Sequence, residues 1–422
     1  MKSYITILIM IFLASCASKE RQCILDGKIV GEKKETLLLF KASKFPNIEA
    51  EIPISDSVFS HTIDFSYPEA YELIFKDEFE SGSMTVTSFF SEKGTVKFVL
   101  KPRGRPYDNK IIGGPINSEL NNYTALLRTM FWDEVMKYSD SLRILMDNGT
   151  ALSDETNEVL EQLRETKSDS VRGLLYNELK YLENTGKKYA PKANKYTQIQ
   201  DSIQNLRKLW EFNYIEKNTS ILSYYKFMVS IKETAKSCCW QPVDIELTNK
   251  AQSNLDRYIR AFPKHPYNEI IQNTINGLLN IHSGGRFIDF NLPDIEGQNI
   301  SLSTIVKENK LTLLDFWSTW CGPCLRTNKE LIPIYEQYRE KGFEILGVTH
   351  VYGKPDSLIS FIQNHNYPWP NVIDFDGKNG LWDKYNLSNQ AGGLFLINAS
   401  GQIVGVNLTA AKIKETLEEI LN

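Results

Sequence analysis

The chain reads Asp315-Phe316-Trp317-Ser318-Thr319-Trp320-Cys321-Gly322-Pro323-Cys324 at the end of an apolar run that begins at Leu311. Residues 311–317 are apolar except for Thr312 and Asp315, a pattern typical of a strand buried on both faces. Downstream, the sequence predicts a helix, a second apolar strand, a further helix, a hairpin and a closing helix, the last four at 343–348, 357–365, 394–406 and 411–421. This β-α-β then β-β-α order decides the fold of the C-terminal region.

The two cysteines have the spacing of a redox-active dithiol. A helix that begins at Cys321 places unpaired N–H groups and the positive end of its dipole around that sulfur. Both favour thiolate over thiol, so Cys321 is predicted to be the attacking nucleophile. Cys324, expected to be buried one turn along, can resolve a mixed disulfide. Gly322 and Pro323 form the tight entry into the helix.

This stretch resembles the active site of thioredoxin. An acid inside an apolar strand is costly unless its pKa rises or it has a partner. The resemblance implies that Asp315 is such a buried carboxylate and accepts the proton of Cys324 during resolution. The alternative is an aspartate that faces solvent at a strand end. Trp320, Gly322 and Pro323 are expected to support the active site.

Three other interpretations of the cysteine pair are less consistent with the sequence. A structural zinc site needs a second pair or histidines at ligand spacing, and none stands near this pair. A purely structural disulfide does not explain the motif directly after a buried strand. A peroxiredoxin needs a proline seven residues before its cysteine, and Leu314 stands there. We therefore expect redox chemistry at Cys321 and Cys324, without a metal or a cofactor.

A wider resemblance covers about residues 286–422 and points to TlpA-like and ResA-like disulfide reductases. It rests on the segments 290–294, 343–348 and 367–370. Upstream, 89–94 and 111–117 resemble a β-rich module that often precedes such domains in lipoproteins. The sequence departs from the family at Lys329, where proline is usual. Gly392 takes the place of the cis-proline that faces the dithiol, and it is a further predicted support residue.

The chain is predicted to be multidomain. Seven short strands, at 24–30, 36–41, 49–54, 58–65, 71–75, 85–90 and 95–100, indicate an antiparallel β sandwich or barrel, closed by a loop at 102–115. A helical period follows. The predicted divisions are a signal peptide at 1–15, a tether at 16–23, the β-rich module at 24–115, a helical region at 116–282 and an α/β thioredoxin-like domain at 283–422.

The N-terminus indicates export. Lys2 precedes an apolar run at 4–13, which is too short to span a bilayer but suits a secretory signal. The run ends in Leu13-Ala14-Ser15-Cys16, which resembles a bacterial lipobox with Cys16 as the lipid-attachment residue. The alternatives are a plain signal peptide with an incidental cysteine and an uncleaved anchor. We expect a lipid-anchored protein of the bacterial cell envelope, on the extracytoplasmic (periplasmic) side, where disulfides persist.

The composition is that of a folded protein, with 42% hydrophobic and 24% charged residues. A net charge of −4 without a basic stripe makes nucleic acid an unexpected partner. The Gly-Pro spacer favours reduction of protein disulfides. We expect a membrane electron donor to supply the electrons for this reduction. The rival interpretation is a ligand- or partner-binding lipoprotein that uses the thioredoxin fold as a scaffold. Cys23, Cys238 and Cys239 are predicted to be packed free thiols, with a vicinal or a Cys23–Cys239 disulfide as alternatives.

Overall fold

The computed structural model describes residues 21–104, 108–237, 240–351, 355–387 and 392–421. The chain divides into two compact units, Met1–Tyr214 and Ile215–Asn422. The predicted signal peptide, Cys16, and the pair Cys238 and Cys239 lie outside the described residues.

The described N-terminal unit begins with a β-rich module. Its strands are β1 Arg21–Ile29, β2 Thr36–Lys41, β3 Ile48–Pro53, β4 Val58–Phe65, β5 Ala70–Phe75, β6 Thr87–Phe90, β7 Gly94–Leu100 and β8 Lys110–Ile112. They form two sheets, with the orders β4-β1-β7-β8 and β3-β2-β5-β6. The seven predicted strands are confirmed; β1 begins within the predicted tether, and β8 lies within the predicted loop. A short helix, α1 Lys76–Ser81, follows β5.

The two sheets share one core, which makes the module a sandwich. Leu25 and Phe98 from the first sheet meet Leu39 and Leu73 from the second, and all four are almost fully buried. One pairing differs from the predicted antiparallel arrangement, because β1 and β7 run parallel. Of the strands between them, β4 belongs to the same sheet and is antiparallel to β1, whereas the other four form the second sheet. Alternation of apolar residues specifies a face and carries no information on strand direction.

A buried glutamate joins the sandwich to the first long helix. The Glu92 carboxylate accepts hydrogen bonds from the backbone N–H groups of Ile116 (3.0 Å) and Asn117 (2.9 Å) at the helix start. The Asn117 side chain in turn bonds both backbone groups of Phe90. A Cβ at Gly114 would lie 2.6 Å from a Glu92 carboxylate oxygen, so the close approach requires glycine there. The two segments that resemble the β-rich module, 89–94 and 111–117, thus have a structural role where the sandwich meets α2.

The predicted helical region is confirmed. In the first unit the helices are α2 Pro115–Leu127, α3 Asp133–Asp147, α4 Asp154–Glu165, α5 Asp169–Asn184 and α6 Pro191–Lys217, whose last residues enter the second unit. A π-helical turn, Arg128–Trp132, joins α2 to α3. Leu120, Leu127 and Phe131 are buried, whereas Met130, which a regular helical period would place on the same side, is exposed. The π turn changes the angular period, which a regular 3.6-residue pattern does not anticipate.

Three further helices open the second unit, α7 Ile221–Ser237, α8 Ile245–Ala261 and α9 Tyr267–Asn280. Tyr224 of α7 stacks on Tyr258 of α8, with ring centroids 4.5 Å apart. The Arg257 guanidinium of α8 donates to the backbone carbonyl of Ile215 at 2.6 Å, which ties α8 to the end of α6. Within the described ranges, every helix is too short or too polar to cross a lipid bilayer.

The remaining elements of the second unit form the predicted thioredoxin-like fold. The strands are β9 Asn291–Pro293, β10 Asn299–Ser301, β11 Leu311–Phe316, β12 Phe343–Val351, β13 Asn371–Phe375, β14 Gly393–Asn398 and β15 Ile403–Val406. The helices are α10 Leu302–Glu308, α11 Gly322–Tyr338, α12 Asp356–His365, α13 Leu381–Lys384 and α14 Ala410–Leu421. The main sheet has the order β13-β12-β11-β14-β15. β12 is parallel to β11 and to β13, whereas β14 is antiparallel to β11 and β15.

The central strand β11 is covered on both sides, and all six of its residues are buried. On one side Leu313 packs with Leu331 of α11 and Leu417 of α14. On the other side Leu314 packs with Leu302 of α10 and with Leu381. Two covered faces explain the unbroken apolar run of the sequence.

The second compact unit begins well before the predicted boundary at residue 283. α9 approaches the end of α13 so closely that a Cβ at Gly277 would lie 2.6 Å from the Lys384 carbonyl oxygen. Ile281 and Trp240 pack against the apolar cluster that covers β11. The predicted boundary marks where the sheet-forming sequence begins, and α7–α9 belong to the same compact unit as that sheet.

Candidate active site

The dithiol lies where β11 ends and α11 begins. Cys321 and Cys324 form a disulfide, with their Cα atoms 5.3 Å apart. Cys321 is the N-cap of α11, and its Sγ accepts a hydrogen bond from the backbone N–H of Cys324 at 3.2 Å. Pro323 stands in the first turn, where its missing N–H leaves no helical bond unmade. The predicted helix start at Cys321 is therefore confirmed.

The burial of the two cysteines differs from the expectation. Cys321 is only 5% exposed, whereas Cys324 is half-buried. Cys321 lies in a turn that is closed by hydrogen bonds from Cys321 N–H to the Ser318 carbonyl (3.0 Å) and from Gly322 N–H to the Trp320 carbonyl (3.1 Å). Trp320 itself projects from this turn and is 70% exposed. Cys324 was expected to be buried and is instead partly exposed, and Cys321 is the more buried residue of the two.

Asp315 is buried, as the sequence predicted, and does not face solvent. It is 2% exposed and pairs in the sheet with Gly347 and Leu394. Burial raises the pKa of Asp315 to about 7, and the side chain of Asn328 opposes this increase. A carboxyl with such a pKa can take up or release a proton near neutral pH.

Gly392 lies against the dithiol, as its place in the family pattern implies. A Cβ at this position would lie 3.1 Å from Cys324 Sγ and would overlap the backbone carbonyl oxygen of Phe316. The backbone therefore approaches the end of β11 too closely for any residue but glycine. Proline would meet the same carbonyl, so the family residue does not fit this backbone. The peptide bond before Gly392 involves Ala391, which lies outside the described residues.

We expect Gly392→Ala to destabilise the second unit by about 2 kcal/mol, because an overlap with backbone forces the strand ends apart. The same substitution at Gly322 is the matched control, since a Cβ there meets only the Arg326 guanidinium at 3.7 Å. Urea unfolding of both variants measures the difference. Equal stability of Gly392→Ala and the wild type would contradict the steric argument.

Sequence reasoning missed the groups that surround the site. Asn328, one turn after Cys324 on α11, is fully buried and acts on the Asp315 carboxyl. The sequence feature that could have identified Asn328 is a polar residue at a position that the helical period places on the inward face of α11. The Trp317 indole N–H donates to Asn371 Oδ1 at 3.1 Å, which holds that ring beneath the site. A Cβ at Gly347 would overlap Asn371 Oδ1, so this bond requires glycine at position 347.

The other cysteines and histidines form no second site in the described part of the chain. No group of three or more His, Cys, Asp or Glu side chains that could hold a metal ion occurs among the described residues. Cys23 is a buried free thiol, as predicted. His265 packs among aromatic rings of the α7–α9 helices, and burial lowers the pKa of His350.

A thioredoxin-like sheet with a disulfide at the start of the helix after its central strand defines the class: a thiol–disulfide oxidoreductase. The AhpC/TSA family matches residues 283–406. The thiol-disulfide oxidoreductase ResA of Halalkalibacterium halodurans is 32% identical over 140 residues, 33% of this chain and 75% of that protein. The ResA of Bacillus subtilis is 29% identical over 146 residues, 35% of this chain and 78% of that protein. The chain belongs to the ResA family of thiol–disulfide oxidoreductases.

Among solved structures, the thioredoxin domain of a thiol-disulfide oxidoreductase from Bacteroides vulgatus is similar to this chain. It is 23% identical, with a TM-score of 0.31, and the match covers 34% of this chain and all of that domain.

Proposed function

We propose that this oxidoreductase reduces disulfide bonds of other proteins in the bacterial cell envelope, with Cys321 as the nucleophile and Cys324 as the resolving thiol. The observation that carries the proposal is the hydrogen bond from Cys324 N–H to Cys321 Sγ at the N-terminus of α11. An N–H aimed at the sulfur and the positive end of a long helix both stabilise a thiolate.

The reaction begins from the reduced dithiol. The Cys321 thiolate attacks one sulfur of the substrate disulfide; a mixed disulfide forms, and the other substrate sulfur leaves as a thiolate. Cys324 loses its proton and attacks Cys321 Sγ, which releases the second substrate thiol and forms the Cys321–Cys324 disulfide. Two electrons pass from the dithiol to the substrate. A membrane electron donor returns two electrons to the protein for the next cycle.

Asp315 is the proposed acceptor of the Cys324 proton. Asp315 is buried in β11, one residue before Phe316. Gly392 lies against both the Phe316 carbonyl and Cys324 Sγ, so the end of β11 that includes Asp315 lies beside the resolving cysteine. The Asp315 pKa of about 7 lets the carboxyl take the proton at resolution and release it afterwards near neutral pH.

A redox titration of the full chain tests the proposed direction. We expect a dithiol–disulfide potential near that of thioredoxin, roughly −270 mV, and reduction of insulin when dithiothreitol supplies electrons. A potential near that of strong oxidants, about −120 mV, would contradict reduction as the direction. A dithiol that does not exchange at all would favour the scaffold interpretation, in which the lipoprotein binds a ligand or partner.

We propose that lipid on Cys16 anchors the protein to the membrane, on the basis of the sequence before that residue. Labelled fatty acid is expected to enter the wild-type protein in cells and to be lost from Cys16→Ala. The control is Cys23→Ala, because Cys23 is buried in β1 and is expected to play no part in acylation. Equal labelling of wild type and Cys16→Ala would remove the anchor from the proposal.

A further inference from the structure

Three polar side chains lie together in the apolar layer between the sheet and α11. They are Asp315 on β11, Asn328 on α11 and Tyr367 in the segment before β13, with exposed fractions of 2%, 0% and 8%. The Tyr367 ring packs edge-on against Trp317, with centroids 5.4 Å apart. The three residues come from separate segments, and the fold brings them together directly behind the dithiol.

Several polar atoms of this cluster have no hydrogen-bond partner among the described residues. They are Asp315 Oδ2, both polar atoms of the Asn328 amide and the Tyr367 hydroxyl. Buried polar atoms without partners destabilise a folded protein, so neighbouring ones in one core need an explanation other than stability. They belong to Asp315, the proposed proton acceptor, and to the two polar residues that influence it.

The three groups influence one another electrostatically. Burial raises the pKa of Tyr367, the Asn328 amide opposes this increase, and the Asp315 carboxyl adds to it. The Tyr367 hydroxyl is therefore protonated and able to donate. Asn328 acts on both partners in the same sense, because it favours the ionised form of each.

We propose that Asn328 and Tyr367 are positioning residues that hold the Asp315 carboxyl ready for proton exchange with Cys324: Asn328 supplies a hydrogen-bond donor to the ionised carboxyl, and Tyr367 orients the Asn328 amide. The amide of Asn328 can turn its N–H group to a carboxylate and its oxygen to a protonated carboxyl. Bonds to the charged form are the stronger ones, so the pair eases ionisation in an apolar core. Tyr367 acts chiefly through Asn328, which lies one turn from Cys324.

This inference rests on the proton-accepting role of Asp315 in the proposed function. Its test measures the protonation of Asp315 directly and needs no turnover. The carbonyl stretch of the protonated carboxyl is followed by infrared spectroscopy of the oxidised full chain against pH, and Asp315→Asn assigns the band. If the protein reduced no disulfide, the proposed function would be wrong. The infrared measurement would still test whether Asn328 and Tyr367 act on the Asp315 carboxyl.

We expect Asn328→Leu to raise the pH midpoint of the Asp315 band by about one unit, and Tyr367→Phe to raise it by less. The double variant should resemble Asn328→Leu, since Tyr367 acts through the amide. Tyr335→Phe is the matched control: it removes a hydroxyl from the same apolar layer, but that hydroxyl interacts with Glu344. Its midpoint should equal that of the wild type.

An unchanged midpoint in folded Asn328→Leu would overturn the proposal. If that variant does not fold, Tyr367→Phe removes a single oxygen atom and decides the question in the same way. A shift in Tyr335→Phe as large as that in Tyr367→Phe would show that the midpoint follows general loosening of the core, and would also overturn it.

Discussion

Cys321→Ser is expected to reduce the disulfide-exchange activity of the full chain to the uncatalysed rate and to trap no substrate. Cys324→Ser should accumulate mixed disulfides with protein substrates through Cys321, because attack still occurs and resolution does not. Non-reducing gels of the two variants, incubated with an oxidised protein substrate, measure the difference. Cys23→Ser is the control, since that thiol is buried in the N-terminal sandwich and should behave as wild type.

The structure contains opposing indications for this experiment. The hydrogen bond to Cys321 Sγ favours Cys321 as the nucleophile, whereas exposure favours Cys324, which is the less buried residue of the two. We give the hydrogen bond more weight, because nucleophilic attack requires the thiolate and the helix N-terminus stabilises it there. Mixed disulfides that accumulate in Cys321→Ser, and not in Cys324→Ser, would reverse the two roles.

Asp315→Asn is expected to stabilise the second unit at pH 8 by an amount on the order of 4 kcal/mol. The pKa of Asp315 is raised from 3.8 to about 7 in the folded protein. Between those values the folded state binds more protons than the unfolded state. Wild-type stability therefore falls as pH rises through this window and levels off above about pH 7. Asparagine does not titrate, so the advantage of the variant should shrink towards pH 4.

Native-state hydrogen exchange at the β11 amides measures this difference in the full chain, because it reports the local free energy of opening. The control is Asp376→Asn, an exposed carboxylate paired with exposed Lys378, whose loss should change stability by less than about 1 kcal/mol at any pH. A difference between wild type and Asp315→Asn that does not vary with pH would contradict the raised pKa.

The same substitution is expected to separate stability from activity. Asp315→Asn cannot accept the Cys324 proton, so resolution of the mixed disulfide should slow and lose its pH dependence near neutrality. Stopped-flow measurement of the resolution step separates this effect from the first attack. A variant that is more stable yet slower would show that the buried carboxylate destabilises the fold and accelerates the resolution step.

Much of the fold follows from local patterns. The strands of the sandwich could be predicted because residues such as Leu25 and Ile29 alternate with exposed ones, and turn formers separate the runs. The apolar run before Cys321 predicted a strand covered on both faces, and the spacing of Cys321 and Cys324 predicted the helix start. Each of these signals depends only on residues that are close together in the sequence. They can therefore be recognised without knowing which distant segments pack together.

The sequence by itself determined the class of fold, the dithiol and the buried acid Asp315. Only the tertiary structure decided that β1 and β7 run parallel, that Cys321 is the more buried cysteine of the pair, and that α7–α9 belong to the C-terminal unit. It alone brought Asn328 and Tyr367 to Asp315. These features depend on packing between segments that are far apart in the chain. Burial and hydrogen bonding there are determined by which surfaces meet, and a local pattern of residue types does not specify those surfaces.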